Sequence, residues 1–235
     1  MSTTLWLLPV GLGEQSWEHW LPSATQAVTC RLTHFIAENA KTARSDLKRL
    51  GHPLPLRELS IEQIPERLDP RECDRLLLPL KAGHDIGLMS EAGCPAIADP
   101  GALLVRRAHE SRIKVRPLVG PSSILLALMG SGLDGQRFAF HGYLPAREPD
   151  RSKRITALEN ESAREHQTQL FIETPYRNHA LFDALLRSCK PGTRLCLATD
   201  LTLESETINT LSVADWRLAP SPPIEKRPTV FLFLA

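Results

Sequence analysis

The sequence predicts an α/β protein of two domains, an N-terminal parallel sheet with crossover helices over residues 1–119 and a C-terminal α/β domain with a mixed sheet over 120–235. Three observations predict it. Short, wholly apolar runs alternate with helical stretches through the first half, the pattern of strands buried on both faces between crossover helices. Gly120-Pro-Ser-Ser123 breaks that rhythm, and the segments beyond it change character. A chain of 235 residues, 42% hydrophobic and 23% charged, has enough apolar surface for two such cores.

Leu5-Trp-Leu-Leu-Pro-Val10 is a continuous apolar run and is expected as the first buried strand. Gly11-Leu-Gly13 turns from it into a helical stretch reaching Ala27. Residues 32–37 read as the second strand. A helix over 40–50 puts Ala43, Leu47 and Leu50 on one face and Lys41, Arg44 and Lys48 on the other, and it stops at Gly51 and Pro53. A weak strand over 54–61 precedes a helix through Leu76-Leu77-Leu78. The strand at 86–89 leads through a loop to a helix over 102–110 and a strand over 113–119. In the second half, 137–143 alternates like a strand and runs into a polar stretch with Arg147, Arg151, Lys153 and Arg154. Residues 169–172 form a strand, and a helix carries Leu181, Phe182, Leu185 and Leu186. Strands over 194–198, 206–211 and 229–234 complete the sheet.

Bulk properties exclude several classes. With 28 Lys and Arg against 27 Asp and Glu the net charge is +1, so any RNA contact has to be a local patch. Aromatic residues are 6%, too few for an evident base-stacking platform. No apolar run approaches the roughly 20 residues that span a bilayer. The start, Met1-Ser-Thr-Thr, lacks the positive region of a signal peptide, and a cytoplasmic protein is expected. The five cysteines show no Cys-x-x-Cys spacing and read as reduced thiols. The eight histidines are scattered without ligand spacing, so no metal is expected. Walker, His-Glu-x-x-His and Gly-x-Ser-x-Gly patterns are absent.

The strongest functional signal is Ser-Glu-Ala-Gly-Cys-Pro-Ala-Ile-Ala-Asp-Pro-Gly over residues 90–101. It sits at the carboxyl end of the 86–89 strand, where ligands bind in open α/β sheets, and it is longer and more sharply shaped than a connector needs to be. A helix-capping Asp99-Pro100 turn accounts for Asp99. It does not account for Glu91-Ala-Gly-Cys-Pro95. Pro9-Val-Gly11-Leu-Gly13 is not a Gly-x-Gly-x-x-Gly fingerprint and by itself reads as a tight turn. Gly120-Pro-Ser-Ser123 reads either as a helix cap or as N–H groups and hydroxyls lining the same cleft.

Residues 87–145, with the 90–101 loop, Pro-Leu-Val-Gly-Pro-Ser-Ser123 and Gly-Leu-Asp-Gly-Gln-Arg-Phe-Ala-Phe-His-Gly-Tyr-Leu-Pro145, closely resemble the tetrapyrrole-methylase-like, class III S-adenosylmethionine-dependent methyltransferases. Within them the chain is most similar to a short form of the branch that methylates a cytidine ribose 2′-hydroxyl of small-subunit ribosomal RNA. Phe35-Ile-Ala-Glu38, Phe171-Ile-Glu-Thr-Pro-Tyr-Arg177 and Leu197-Ala-Thr-Asp-Leu-Thr202 match that branch as well. The chain departs from it with Val-Gly-Leu12 in place of Ile-Gly-Asn, Glu38-Asn-Ala-Lys41 in place of Glu-Asp-Thr-Arg, Glu91 in place of Asp, and Cys94 in place of Thr. The family's chains also extend beyond the last strand.

The resemblance implies an S-adenosylmethionine site in the cleft between two α/β domains, usually in a homodimer. Donor contacts carry over to Pro9, Gly11, Gly93, Cys94, Pro95, Ser122, Ser123, Thr174, Asp200, Leu201 and Thr202. A hydroxyl acceptor needs a proton acceptor in reach. Glu38, Glu91 and Glu173, all at or beyond predicted strand ends, are the catalytic candidates, each with a helix cap or an ion pair (Lys41, Arg177) as its plainer explanation. Phosphate contacts fall on Lys41, Arg44 and Lys48 and on Arg151, Lys153 and Arg154. The expected function is methylation of small-subunit rRNA, with RNA or the small ribosomal subunit as partner and no membrane. The alternatives are methylation of a small molecule such as a tetrapyrrole, or a donor-binding module without turnover.

Overall fold

A computed structural model describes residues 3–235; Met1 and Ser2, part of the stretch read as lacking a leader, lie outside the described residues. The chain divides into two compact units, the first ending at Ser122 and the second covering Ser123–Ala235.

The first unit alternates β1 (Thr4–Leu8), α1 (Ser23–Thr29), β2 (His34–Ala37), α2 (Ala40–Arg49), β3 (Ser60–Gln63), α3 (Pro70–Leu76), α4 (Leu78–Lys81), β4 (Ile86–Met89), α5 (Gly101–Glu110) and β5 (Lys114–Pro117). The five strands form one parallel sheet in the order β3-β2-β4-β1-β5. Successive side chains point to opposite faces. Leu5, Ile36, Ile86 and Leu88 therefore pack on α3, α4 and α5 through Leu76, Leu80 and Leu104. Leu8, Phe35 and Met89 pack on α2 through Ala43 and Leu47. Two differences from the sequence reading trace to proline. The weak strand shrinks to Ser60–Gln63 behind a 3-10 turn at Leu56–Glu58, because Pro53 and Pro55 cannot donate to a ladder. The helix through Leu76–78 is interrupted at Leu77: α3 ends at Leu76 and α4 starts at Leu78 with Pro79 in its first turn.

The second unit contains α6 (Ser123–Ser131), β6 (Phe138–Tyr143), α7 (Asp150–Glu165), β7 (Thr168–Ile172), α8 (Asn178–Ser188), β8 (Arg194–Thr199), β9 (Thr207–Ser212), α9 (Val213–Leu218) and β10 (Thr229–Leu234). The sheet order is β6-β7-β10-β8-β9, with β6 and β7 parallel and the remaining pairs antiparallel. Phe171, Phe231 and Phe233 form its centre against Ile155, Leu158, Leu181 and Leu185 of α7 and α8. On the other face α6 lies over β8, β9 and β10, tied by the Thr210 hydroxyl donating to the Ser131 carbonyl at 2.7 Å. The sequence reading assigns no element to the polar stretch with Arg147, Arg151, Lys153 and Arg154, which runs into α7. The buried stripe of that helix includes Arg151, Glu159 and Ser162 beside Ile155 and Leu158, so polar residues hide its period. The Glu159 carboxylate accepts from the Lys190 amide at 2.6 Å and the Thr193 hydroxyl at 2.5 Å. Burial, with this charge nearby, pushes the Cys189 thiol up to about 12.

Candidate functional site

In the first unit the site is built at the carboxyl ends of the parallel strands. β1 sends the chain to β2 on one side, whereas β4 sends it past β1 to β5, so connections leave in opposite directions at β1 and β4. Such a switch point opens a crevice between neighbouring loops. The loops after β1, β4 and β5 interlock there. The Val10 amide donates to the Gly93 carbonyl at 2.9 Å, and the Cys94 thiol donates to the Pro121 carbonyl at 3.3 Å. Gly93 has φ +71°, a conformation that L side chains rarely adopt. A Cβ on Gly120 would fall 2.2 Å from the Pro9 Cβ, so only glycine lets these two loops close up. Pro9, Gly11, Gly93 and Pro95 are buried, and Cys94 and Ser122 half-buried. Burial raises the Cys94 pKa, which keeps it a neutral thiol at pH 7.

The distal half of the same loop hangs on Asp99. Its two oxygens accept from the Gly101 amide at 2.7 Å and the Ala96 amide at 2.8 Å. Ala96 and Ala98 have φ 67° and 62°, a left-handed conformation costing about 1–2 kcal/mol per residue, and the two bonds hold the turn that contains them. Burial pushes Asp99 above the usual carboxylate range, opposed by those two N–H groups. The sequence reading saw Asp99 as a cap. Its second bond, back to Ala96, has no signature in residue spacing.

Glu38 follows β2 directly. Asn39 caps α2 by accepting from the Lys41 and Thr42 amides at 2.9 and 3.2 Å, so this departure keeps the capping function of an aspartate. The Glu38 amide donates to the Met89 carbonyl, and its Oε2 accepts from the Glu91 amide at 3.3 Å. The carboxyl is half-buried. Desolvation pushes its pKa up, and the charges of Asp99 and Glu91 add to this, against the Glu91 N–H. The Glu91 side chain is exposed. The structure thus brings Glu38, Glu91 and Asp99 together beside the loop after β4.

In the second unit β7 and β8 end at the edge where β10 begins, since β10 runs antiparallel to both. Glu173, just past β7, has a side chain with no exposure. Its Oε1 accepts from the Thr174 amide at 2.7 Å and from Arg177 at 2.6 and 3.0 Å, while its buried Oε2 has no partner. Asp200, just past β8, is buried and accepts from the Ser205 hydroxyl at 2.7 Å and the Arg227 Nε at 2.8 Å. Asp200 and Thr202 have φ 51° and 74°, Leu201 between them is buried, and the Thr202 amide donates to Glu206. Asn178 secures the approach to β10 by donating to the Ile224 and Arg227 carbonyls. Thr174 is half-buried, and Ser123 opens α6. Arg177 was legible as a partner four residues after Glu173. Arg227, 27 residues from Asp200, had no sequence signal.

The cations separate. Lys41, Arg44 and Lys48 share an exposed face of α2, and Lys153 and Arg154 are exposed on α7. Arg151, grouped with them in the sequence reading, is buried and paired with Glu148 at 3.2 Å, so it presents no charge to solvent. Among the described residues no three His, Cys, Asp or Glu side chains are placed to hold a metal ion, and no helix is long and apolar enough to cross a membrane.

No protein-family model matches the chain. It is 36% identical over 157 residues to the "Ribosomal RNA small subunit methyltransferase I" of Xylella fastidiosa, covering 67% of this chain and 54% of that protein. The protein of the same name from Pseudomonas aeruginosa is 37% identical over 157 residues, 64% of this chain and 53% of its own length. That from Vibrio cholerae is 30% identical over 190 residues, 80% and 65%. The chain thus spans about half to two-thirds of the curated relatives it matches. Among the solved structures that share its fold are two methyltransferases. The methyltransferase CobJ superposes with a TM-score of 0.64 at 18% identity over 99% of this chain and 93% of its own. Cobalt precorrin-4 methyltransferase, CbiF, gives 0.63 at 11% over 98% and 94%.

Proposed function

We propose that this chain, like the ribosomal RNA small subunit methyltransferase I proteins it is similar to, transfers a methyl group from S-adenosylmethionine to a ribose 2′-hydroxyl of small-subunit rRNA. The observation that carries the reading is the interlocked cradle after β1, β4 and β5 with Glu38 at its edge.

The residues present fit the donor. Gly120 packed on Pro9 and the left-handed Gly93 hold these loops together at the strand ends, where ligands bind in open parallel sheets. Pro9, Gly11, Gly93, Cys94, Pro95, Ser122 and Ser123 would hold it from these loops. The other donor candidates, Thr174, Asp200, Leu201 and Thr202, lie just past the ends of β7 and β8. The Asp200 carboxylate is already occupied by Ser205 and Arg227. The orphaned Glu173 Oε2 is a buried acceptor suited to a donor group of a bound molecule. When bound, S-adenosylmethionine supplies a methyl already activated on a sulfonium, so the chain's work is to position the acceptor and exclude water.

Of the three glutamates, Glu38 suits the removal of the hydroxyl proton. It is half-buried, held by one N–H, and its raised pKa brings its basicity nearer to neutral pH, which favours general-base work. Glu173 is engaged by Arg177 and serves position instead.

The test is methyl-labelled S-adenosylmethionine with this protein and small ribosomal subunits from cells lacking the modification. Label in a ribose supports the reading. No label in rRNA from a protein that binds the donor by calorimetry sinks it. The same donor-binding protein labelling a tetrapyrrole would redirect the acceptor.

A further inference from the structure

The opposite end of the first unit carries a feature that the donor loops do not use. Where α1, α4 and α5 finish and β1, β2, β4 and β5 begin, two open clefts adjoin, sharing Thr3 and Gly83 in their walls. They are lined by Arg31, Lys81, Arg112, Lys114 and Arg116, all exposed, with His84 and His109 beside them. The single carboxylate in either wall is Asp85, and both its oxygens are spent, one accepting from the Thr4 amide at 2.7 Å and the other from the Trp6 indole at 3.0 Å.

A scattered, solvated surface does not explain this grouping. The whole chain is near neutral, with 28 cations against 27 acids. Many arginines elsewhere are neutralised by carboxylates, among them Arg49, Arg75, Arg107, Arg137, Arg177 and Arg227. Among the described residues none of the five cleft cations is in an ion pair, although Lys81 is near enough to Asp74 to help depress its pKa. Cations at helix carboxyl ends are ordinary, since the helix dipole favours them. Lys114 and Arg116, however, stand on the edge strand β5, and the Arg116 guanidinium lies over the Trp6 ring at 5.2 Å.

We propose that these clefts are a docking surface for the phosphate backbone of a structured RNA, engaged at the amino end of the parallel sheet while the acceptor nucleotide is held at the carboxyl end. This rests on the RNA reading above and adds to it where the rest of the substrate binds. A strand of five residues, such as β1, is about 17 Å long, so a large folded RNA reaches both ends of the sheet and a small acceptor does not. Counterion release makes such a contact steeply salt-dependent.

The test measures binding of purified small ribosomal subunits across a salt series. Three proteins are compared: the unaltered chain, the triple variant Lys81→Gln, Arg112→Gln, Lys114→Gln, and a charge-matched control, Arg57→Gln, Arg67→Gln, Arg71→Gln, whose sites are also exposed. Donor binding by calorimetry reports that each is folded. The expected result is a loss of affinity of about tenfold or more in the cleft variant at 0.1 M salt. Its slope of log K against log salt should fall by about 2, from roughly 0.7–0.9 per lost phosphate contact. The control should stay near the unaltered chain. If the cleft variant binds subunits as the unaltered chain does, the docking surface is overturned while the RNA reading stands. If the unaltered chain neither binds nor methylates subunits, the RNA reading falls and the docking surface with it.

Discussion

The two units place acids at the same kind of position, just past the carboxyl ends of strands, and use them differently. In the first, Glu38 keeps a half-buried carboxyl touched by one amide, and Glu91 is exposed. The loops around them are held by backbone contacts, by Gly120 against Pro9, and by Asp99 closing its own turn. In the second, Glu173 and Asp200 are buried and gripped by Arg177 and Arg227. A carboxylate locked to a guanidinium fixes a loop but is poorly placed to accept a proton. One held by a single N–H, in a desolvated setting, is available for it. Position at a strand end therefore does not define a role; the partners do.

The sharpest break of this contrast is Glu38→Gln. It should lower kcat by about 10²–10⁴ at neutral pH with donor affinity retained, the range for loss of a general base. In the unaltered protein activity should rise with pH through the Glu38 ionisation, above the usual glutamate range because burial raises it. That limb should vanish from the pH profile of Glu38→Gln, and a limb that persists would assign the base elsewhere.

The second unit should break through stability instead. Arg177→Ala leaves the wholly buried Glu173 without its cation and should cost about 3–5 kcal/mol in denaturant unfolding. Adding Glu173→Gln should recover part of this, because the uncompensated charge is then gone; no recovery would mean that Arg177 acts by packing alone.

Gly120→Ala tests the cradle. Its Cβ cannot fit against Pro9 without the loops parting, so unfolding stability should fall by about 1–3 kcal/mol and donor affinity should drop, read by calorimetry. Smallest of all, Glu91→Ala removes an exposed side chain whose amide, not its carboxylate, holds Glu38. Stability should move by no more than about 0.5 kcal/mol, and kcat should stay close to that of the unaltered protein.

Much of this was legible in the residues. Parallel strands buried on both faces read as continuous apolar runs, and Ile86–Met89 falls where its run predicts. The 90–101 loop announces itself by its glycines and prolines, because close backbone approach and left-handed turns demand those residues. Reading fails where polar residues are buried. The helix Asp150–Glu165 hides its period behind Arg151, Glu159 and Ser162, and Arg151 looked like a surface cation until its partner Glu148 and its burial were visible.

By itself the sequence determined the alternation of strand and helix and which loops fall at the strand ends, since these follow from local periodicity and turn chemistry. Only the tertiary structure decided which acids are free and which are clamped, and which cations are neutralised. Arg227 meets Asp200 across 27 residues, the Gly120 backbone meets Pro9 across more than a hundred, and the cations of three helix ends and an edge strand gather in adjoining clefts. Burial and charge pairing depend on neighbours brought together by the fold, and residue spacing along the chain does not encode them.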